Sequence, residues 1–454
     1  MSDHTRRRFL KLSGGALGGV FAGSTVVAAE RTNRFIVETK GRRTPRDLDV
    51  VHEMPGVEFV VVEGNESDVK RSKAVRGYAP DVEVRLDDPD VNAKAPTADE
   101  ASPGDEPFYP LQWDKRSQNV PDAHEVTQGE GTCVTVIDTG VAGGHPDLEV
   151  NESLSRNFTG DGFGSANPAG GYHGTHVGGI VGATDNGEGV IGTAPETELV
   201  DCRVFSPSSL ASFADVLAAV VYSANIDADA ANLSLGAYPI PRQGLGSFYG
   251  KVLNSTMTYA DREGTLLSIA AGNDAADLQH DRNLISLPNE GAQAVSVSAT
   301  GPIGFDWGEA GLEEPFESPA FYTNHGTNAV TVAAPGGDAD LDAIETGVPW
   351  YLDLVYNTLA TPEFRYGDVD DDGEEGPVEY LGATYTYGWL AGTSMAAPQV
   401  AGAAALVKAE NPEYNANQVE SVLKRTATVP EGYEKAYYGA GVVNPAAAVG
   451  NSQD

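Results

Sequence analysis

The sequence predicts an α/β protein: a mostly parallel central sheet with helices on both faces, preceded by a small α+β unit. Three observations lead there. From residue 132 onward, short β-rich runs alternate with Ala-rich helical stretches, the pattern of parallel strands joined by helical crossovers. The charge changes abruptly along the chain. The first 104 residues carry 16 Lys/Arg against 17 Asp/Glu, and residues 105–454 carry 13 against 49. Between these parts, residues 87–107 form a Pro/Ala/Asp/Glu-rich stretch without periodicity, which reads as a linker and a place for a processing cut.

Taken in order, the chain opens with Thr5-Arg6-Arg7-Arg8-Phe9-Leu10-Lys11 and a Gly/Ala-rich apolar run to Ala29. Paired arginines before a mildly apolar run look like a twin-arginine export signal, residues 1–29, with Val27-Ala28-Ala29 supplying small residues for cleavage. That run is too rich in Gly and Ser to span a membrane, and no other stretch is long and apolar enough, so no stable membrane association is expected. Residues 30–104 form a separate small unit. Its strands are expected at Arg34-Phe35-Ile36-Val37-Glu38, Val57-Glu58-Phe59-Val60-Val61-Val62 and Asp81-Val82-Glu83-Val84-Arg85-Leu86, with room for a helix or two between them. The main domain spans 105–450. Its strands are expected at 134–137, 199–205, 228–235, 265–271 and 294–299, and its helices at 213–223, 251–263 and 396–409. Residues 338–388 read as an insertion.

The net charge of −37 removes nonspecific nucleic-acid binding, which needs a basic footprint. An acidic, Lys-poor surface suits a globular domain working in concentrated salt, where charge repulsion is screened. Two cysteines, Cys133 and Cys202, cannot make a disulfide framework, and both lie in apolar strand-like runs. Free buried thiols are expected, and structural zinc is not.

Four short segments carry chemistry. Val136-Ile137-Asp138-Thr139-Gly140 puts a carboxylate directly after an apolar strand. His173-Gly174-Thr175-His176 opens a small-residue helix, Ala270-Ala271-Gly272-Asn273 ends a strand with an amide, and Gly392-Thr393-Ser394-Met395-Ala396-Ala397-Pro398 starts an Ala-rich helix with a serine. Acyl transfer needs these residue types. A serine hydroxyl is a weak nucleophile until an imidazole takes its proton, and a buried carboxylate fixes that imidazole's tautomer. An amide donor stabilises the oxyanion, and a helix N-terminus adds its N–H groups. Each piece alone is equally well a cap, a turn or a satisfied polar group; all four in this order are specific.

The segments around Asp138, His173 and Ser394 resemble the Asp, His and Ser signatures of subtilisin-like serine proteases, in that family's chain order, over residues 106–448. The resemblance implies Asp138 as orienting acid, His173 as general base, Ser394 as nucleophile and Asn273 as oxyanion donor, with His176 structural. It implies that Ser234, Leu235 and Gly236 pair with the substrate backbone, and that Ala270, Ala271 and Gly272 form the other wall of the primary specificity pocket. Small residues there suggest room for a large apolar or aromatic side chain. It further implies that residues 30–104 are a propeptide that inhibits the active site, and that the protein is a secreted, monomeric endopeptidase acting on polypeptides. A noncatalytic peptide-binding relative would share the fold. A lipase would need G-x-S-x-G, which is absent, and a sedolisin-like acid peptidase would lack His173-Gly174-Thr175-His176.

Two calcium sites are expected. Asp147 and Asn186, with the carbonyls of Thr184, Glu188 and Val190, match family positions of a structural calcium site, and Gln112 is a looser match. Asp368, Asp370, Asp372, the Glu374 carbonyl and Glu379 fit the spacing of a twelve-residue EF-hand loop, although its flanks read as strands rather than helices.

Overall fold

The computed structural model describes residues 23–26, 33–41, 44–87, 107–208, 210–241, 246–280, 284–308, 311–367 and 377–450. The twin-arginine motif, the linker core and the acidic ligands Asp368, Asp370, Asp372 and Glu374 lie outside them.

Strand β1 (Gly23–Val26) falls in the stretch read as an export signal. Next comes a four-stranded antiparallel sheet in the order β3 (Asp49–Glu53), β4 (Phe59–Glu63), β2 (Arg34–Thr39), β5 (Val75–Pro80), with helix α1 (Glu66–Arg71) between β4 and β5. Alternation gives it two apolar faces. Phe35, Val37, Val60 and Val62 pack with Val69 of α1, whereas Ile36, Phe59, Val61 and Ala79 join the core of the main domain. The segment expected as this unit's third strand behaves differently. Strand β6 (Glu83–Asp87) leaves the four-stranded sheet and pairs antiparallel with β1 and with Leu210–Ser212 of the main domain. Asp81 directs it there, because its carboxylate accepts the Ser212 hydroxyl and the Ala214 N–H at the start of a body helix.

The main domain begins with two short helices, α2 (Trp113–Ser117) and α3 (Val120–His124). Its sheet has seven strands, and every ladder is parallel. Those named by the sequence are β7 (Cys133–Asp138), β9 (Glu198–Arg203), β11 (Ala230–Leu233), β13 (Leu266–Ala270) and β15 (Ala294–Thr300); β8 (Arg156–Asn157) and β16 (Val332–Pro335) complete the order β16-β15-β13-β11-β7-β9-β8, while β10 (Leu210–Ser212) pairs with β6 and β12 (Ala237–Pro241) with β14 (Leu284–Leu287). Period two splits the strands between the faces. Val134, Val136 and Leu266 meet α4 (His173–Gly182) and α7 (Thr393–Glu410) on one side. Ile137, Leu267 and Ile269 meet α5 (Phe213–Asn225) and α6 (Gly246–Glu263) on the other. Helix α7 is apolar nearly all round and is buried for most of its length, as a helix through the middle of a core must be.

The stretch read as an insertion carries most of a long antiparallel hairpin, β17 (Val355–Tyr366) and β18 (Pro377–Leu390). Cys202 is buried and Cys133 half-buried, so the pair is less enclosed than expected; both are free. Cys202 lies opposite Ile137, four residues along the strand from Cys133, too far along the ladder for the two to meet.

Candidate active site

The four chemical segments converge beyond the carboxyl ends of the strands, where open α/β sheets gather function. Asp138 is the last residue of β7 and is fully buried. Its Oδ1 takes the Thr139 N–H at 2.7 Å and lies 2.8 Å from His173 Nδ1, also fully buried. The approach depends on glycines. Gly140 has φ +113°, and a Cβ there would overlap the Asn167 carbonyl. A Cβ on Gly174 would lie 2.7 Å from the Gly140 carbonyl oxygen.

Ser394 sits in the first turn of α7, where the leading N–H groups have no intrahelical partner. Pro398 lies four residues on. Having no N–H, it leaves the Ser394 carbonyl without its helical donor. The Ser234 hydroxyl takes that place at 2.6 Å, and the Ser394 hydroxyl donates to the Ser234 carbonyl oxygen at 3.2 Å. A doubly bonded bridge thus ties the helix start to the segment after β11.

Asn273 is oriented by its neighbour. Its Oδ1 accepts from both the N–H and the hydroxyl of Thr393, each at 2.9 Å, which turns Nδ2 towards the Gly392 turn. Behind it lies Asn324, fully buried, which sequence reasoning missed. Asn324 Oδ1 accepts the N–H groups of Asp274 and Ala276 at 3.0 and 2.9 Å. Its Nδ2 donates to the Ala271 carbonyl at 2.9 Å, and its own N–H to the Gly272 carbonyl at 3.0 Å. Gly272 has φ +103°, and a Cβ there would collide with the Asn324 amide. No motif around Asn324 signalled this; its role comes from tertiary contact alone.

A cleft with a cavity of about 50 Å³ adjoins Ser394. Of the six residues expected to bind substrate, Leu235, Gly236, Ala270 and Gly272 line it. Ser234 and Ala271 are fully buried behind the wall, and Ala271 N–H is spent on Val297. Tyr238, Asp274 and Ser286 also line it, so the wall is less apolar than its small residues suggest. Burial raises the Asp274 carboxyl above its ordinary value. His176 serves the scaffold: its Nε2 lies 3.2 Å from the carbonyls of both Val355 and Gly388, at the base of the hairpin. Burial pushes its pKa down to about 3, so it is neutral.

The residues of the first expected calcium site do come together. Asp147 is fully buried; its Oδ2 accepts the Val190 N–H at 2.9 Å and its Oδ1 has no hydrogen-bond partner. Burial pushes its carboxyl up to about 6. The loop 184–190 wraps it, with Thr184 donating to the Asp147 carbonyl and Asn186 Oδ1 taking the Glu188 N–H. An enclosed carboxylate oxygen without a hydrogen-bond donor, wrapped by this loop, fits a hard cation. Gln112 is committed elsewhere, since both ends of its amide bond to the Ile191 backbone at 2.9 Å. For the second site, the described part is strand, not helix. Glu379 lies in β18 and ion-pairs with Arg365 across the hairpin.

Comparison with known proteins fits this geometry. Residues 129–441 match the subtilase family, peptidase S8. Subtilisin Savinase of Lederbergia lenta is 31% identical over 342 residues, covering 74% of this chain and 98% of that protein. Thermitase of Thermoactinomyces vulgaris is 26% identical over 349 residues, covering 77% and 99%. Among solved structures, a protease of Pseudoalteromonas arctica PAMC 21717 matches with TM-score 0.56 at 27% identity, over 77% of this chain and 99% of that one. The epidermin leader peptide processing serine protease of Staphylococcus aureus shares the fold, with TM-score 0.69 at 20% identity over 94% and 100%. The chain belongs to the subtilase family and is a serine-type peptidase.

Proposed function

We propose that the protein is a secreted endopeptidase that cleaves polypeptides through Asp138, His173 and Ser394, and that it works in concentrated salt. The observation that carries the mechanism is the fully buried 2.8 Å contact between Asp138 Oδ1 and His173 Nδ1. It holds the imidazole with Nδ1 protonated, so the opposite nitrogen, Nε2, is the base. When substrate arrives, Ser394 exchanges its bond to the Ser234 carbonyl for one to Nε2, loses its proton and attacks the scissile carbonyl. Asn273 Nδ2 and the Ser394 N–H receive the oxyanion. His173 then protonates the leaving amine, and water repeats the cycle on the acyl-enzyme. Leu235, Gly236, Ala270 and Gly272 would hold the peptide, and Tyr238, Asp274 and Ser286 on the same wall would temper the apolar preference that the small residues suggest.

Residues 30–104 would act as an inhibitory propeptide, cut in the linker. The supporting contacts are the pairing of β6 with the main-domain edge and the seat of Asp81 on α5. Export as a folded protein rests on Arg6-Arg7-Arg8, and salt adaptation on the excess of acid after residue 104. Among the described residues no helix is long and apolar enough to cross a membrane. Calcium would bind at Asp147, Asn186 and the carbonyls of Thr184, Glu188 and Val190, where it would hold the Asp147 carboxylate ionised and brace the loop.

The test is protein hydrolysis in multimolar KCl with calcium, wild type against Ser394→Ala. Hydrolysis and self-processing should both vanish in the variant. A Ser394→Ala protein that still matures and cleaves would refute the nucleophile assignment.

A further inference from the structure

A charged side chain lies deep under the site, used by none of these steps. Lys115 of α2 is fully buried. Its Nζ donates to the Ile180 carbonyl at 3.0 Å, to Thr193 Oγ1 at 2.9 Å and to Gln399 Oε1 at 2.7 Å. Thr193 gives its own hydroxyl proton to Gln399 Oε1 at 3.0 Å, and Ile180 and Gln399 Oε1 can only accept. Three acceptors need three N–H groups, so the amine is an ammonium. Its counter-charge is Asp114, at 3.5 Å, which also takes the Gln399 Nε2–H at 2.7 Å.

The acceptors come from different elements. Ile180 lies two turns along α4 from His173, and Gln399 lies five residues along α7 from Ser394. A buried ammonium is costly unless every donor is met, and here each is met only when α4, α7 and the Thr193 segment hold one mutual position. Gly402 lets α7 come that close: a Cβ there would lie 2.6 Å from Thr193 Cβ. We propose that Lys115 is a positioning residue that sets the helix carrying His173 against the helix carrying Ser394. The inference rests on the catalytic reading of those two residues. Lys115, Thr193 and Gln399 do not line the substrate cleft. Loss of the ammonium should therefore disturb the His173–Ser394 alignment and leave peptide binding intact.

The test uses Asp114→Asn/Lys115→Met, which removes both charges together, and Thr193→Val, a gentler loss of one acceptor. Steady-state kinetics on a chromogenic peptide, melting temperature and the rate of Ser394 labelling by a sulfonyl fluoride are measured beside wild type and Ser394→Ala. The double variant should lose about tenfold or more in kcat and in labelling rate, as misalignment by a fraction of an ångström does, with KM changed less than twofold. Thr193→Val should show a smaller loss of the same kind. A wild-type kcat in Thr193→Val, or in a folded double variant, with only the melting temperature lowered would overturn the proposal. Activity retained by Ser394→Ala would instead sink the catalytic reading beneath it.

Discussion

The N-terminal unit and the main domain are held together by different means. The main domain owns the core on one face of its sheet: residues such as Val134, Val136, Val295 and Val297 pack with Val177, Ile180, Val400 and Leu406 without help from the first 87 residues. The N-terminal sheet owns only one of its faces. The other, with Ile36, Phe59 and Val61, is completed by α5 and α6. Around that shared apolar patch the contact is ionic and hydrogen-bonded. Arg34 and His52 both converge on Asp215, His52 Nε2 at 2.8 Å. Lys251 meets Glu38 at 2.7 Å, and Asp81 caps α5. The small unit thus completes one of its apolar faces only against the large one.

The sharpest way to break that contrast is to separate the two parts. A chain of residues 30–104 alone should lack a cooperative melt, because a domain of that size with one apolar face exposed is marginal. Far-UV circular dichroism checks this, and a two-state transition in the isolated unit would contradict it. It should nevertheless fold on, and inhibit, the mature domain. Asp215→Ala in that domain should weaken inhibition by about a hundredfold, since it removes the carboxylate on which Arg34 and His52 converge and leaves Arg34 only the more distant Asp81 carboxylate, at 3.8 Å, as an acidic partner there. An unchanged inhibition constant would move the weight of the interface onto its apolar patch.

The smallest expected effect is a pH dependence. Burial pushes the Asp81 carboxyl up to about 6 from an ordinary 3.8. A carboxyl raised by docking binds its proton more readily in the complex than apart. Rising pH therefore weakens the complex across that window. Inhibition by the unit should fall by about thirtyfold between pH 4 and 6, and Asp81→Asn should flatten the profile. Loss of the slope in the variant ties it to this carboxyl; a slope that persists assigns it to another group.

Much of this was legible in the sequence, for physical reasons. All five strands expected in the main sheet form, because apolar runs between helical crossovers have few other places to go. Asp138 and His173 meet as their segments suggested, since strand ends and helix starts in such sheets point one way. The edges were harder. Strands β8 and β16 have two and four residues, too short to stand out. The segment at Glu83–Asp87 alternates like any strand, but nothing local says which sheet it joins; Asp81 and α5 decide that. Asn324, Thr193 and Gln399 were invisible for the same reason. Their work consists of bonds to residues far away in the chain.

Pro398 has one further consequence. By withholding an N–H it hands the Ser394 carbonyl to Ser234, the first residue of the segment along which substrate would lie. Cutting edge and workpiece rest then share a datum. A displacement of that rim would therefore pull directly on the turn that carries the attacking oxygen.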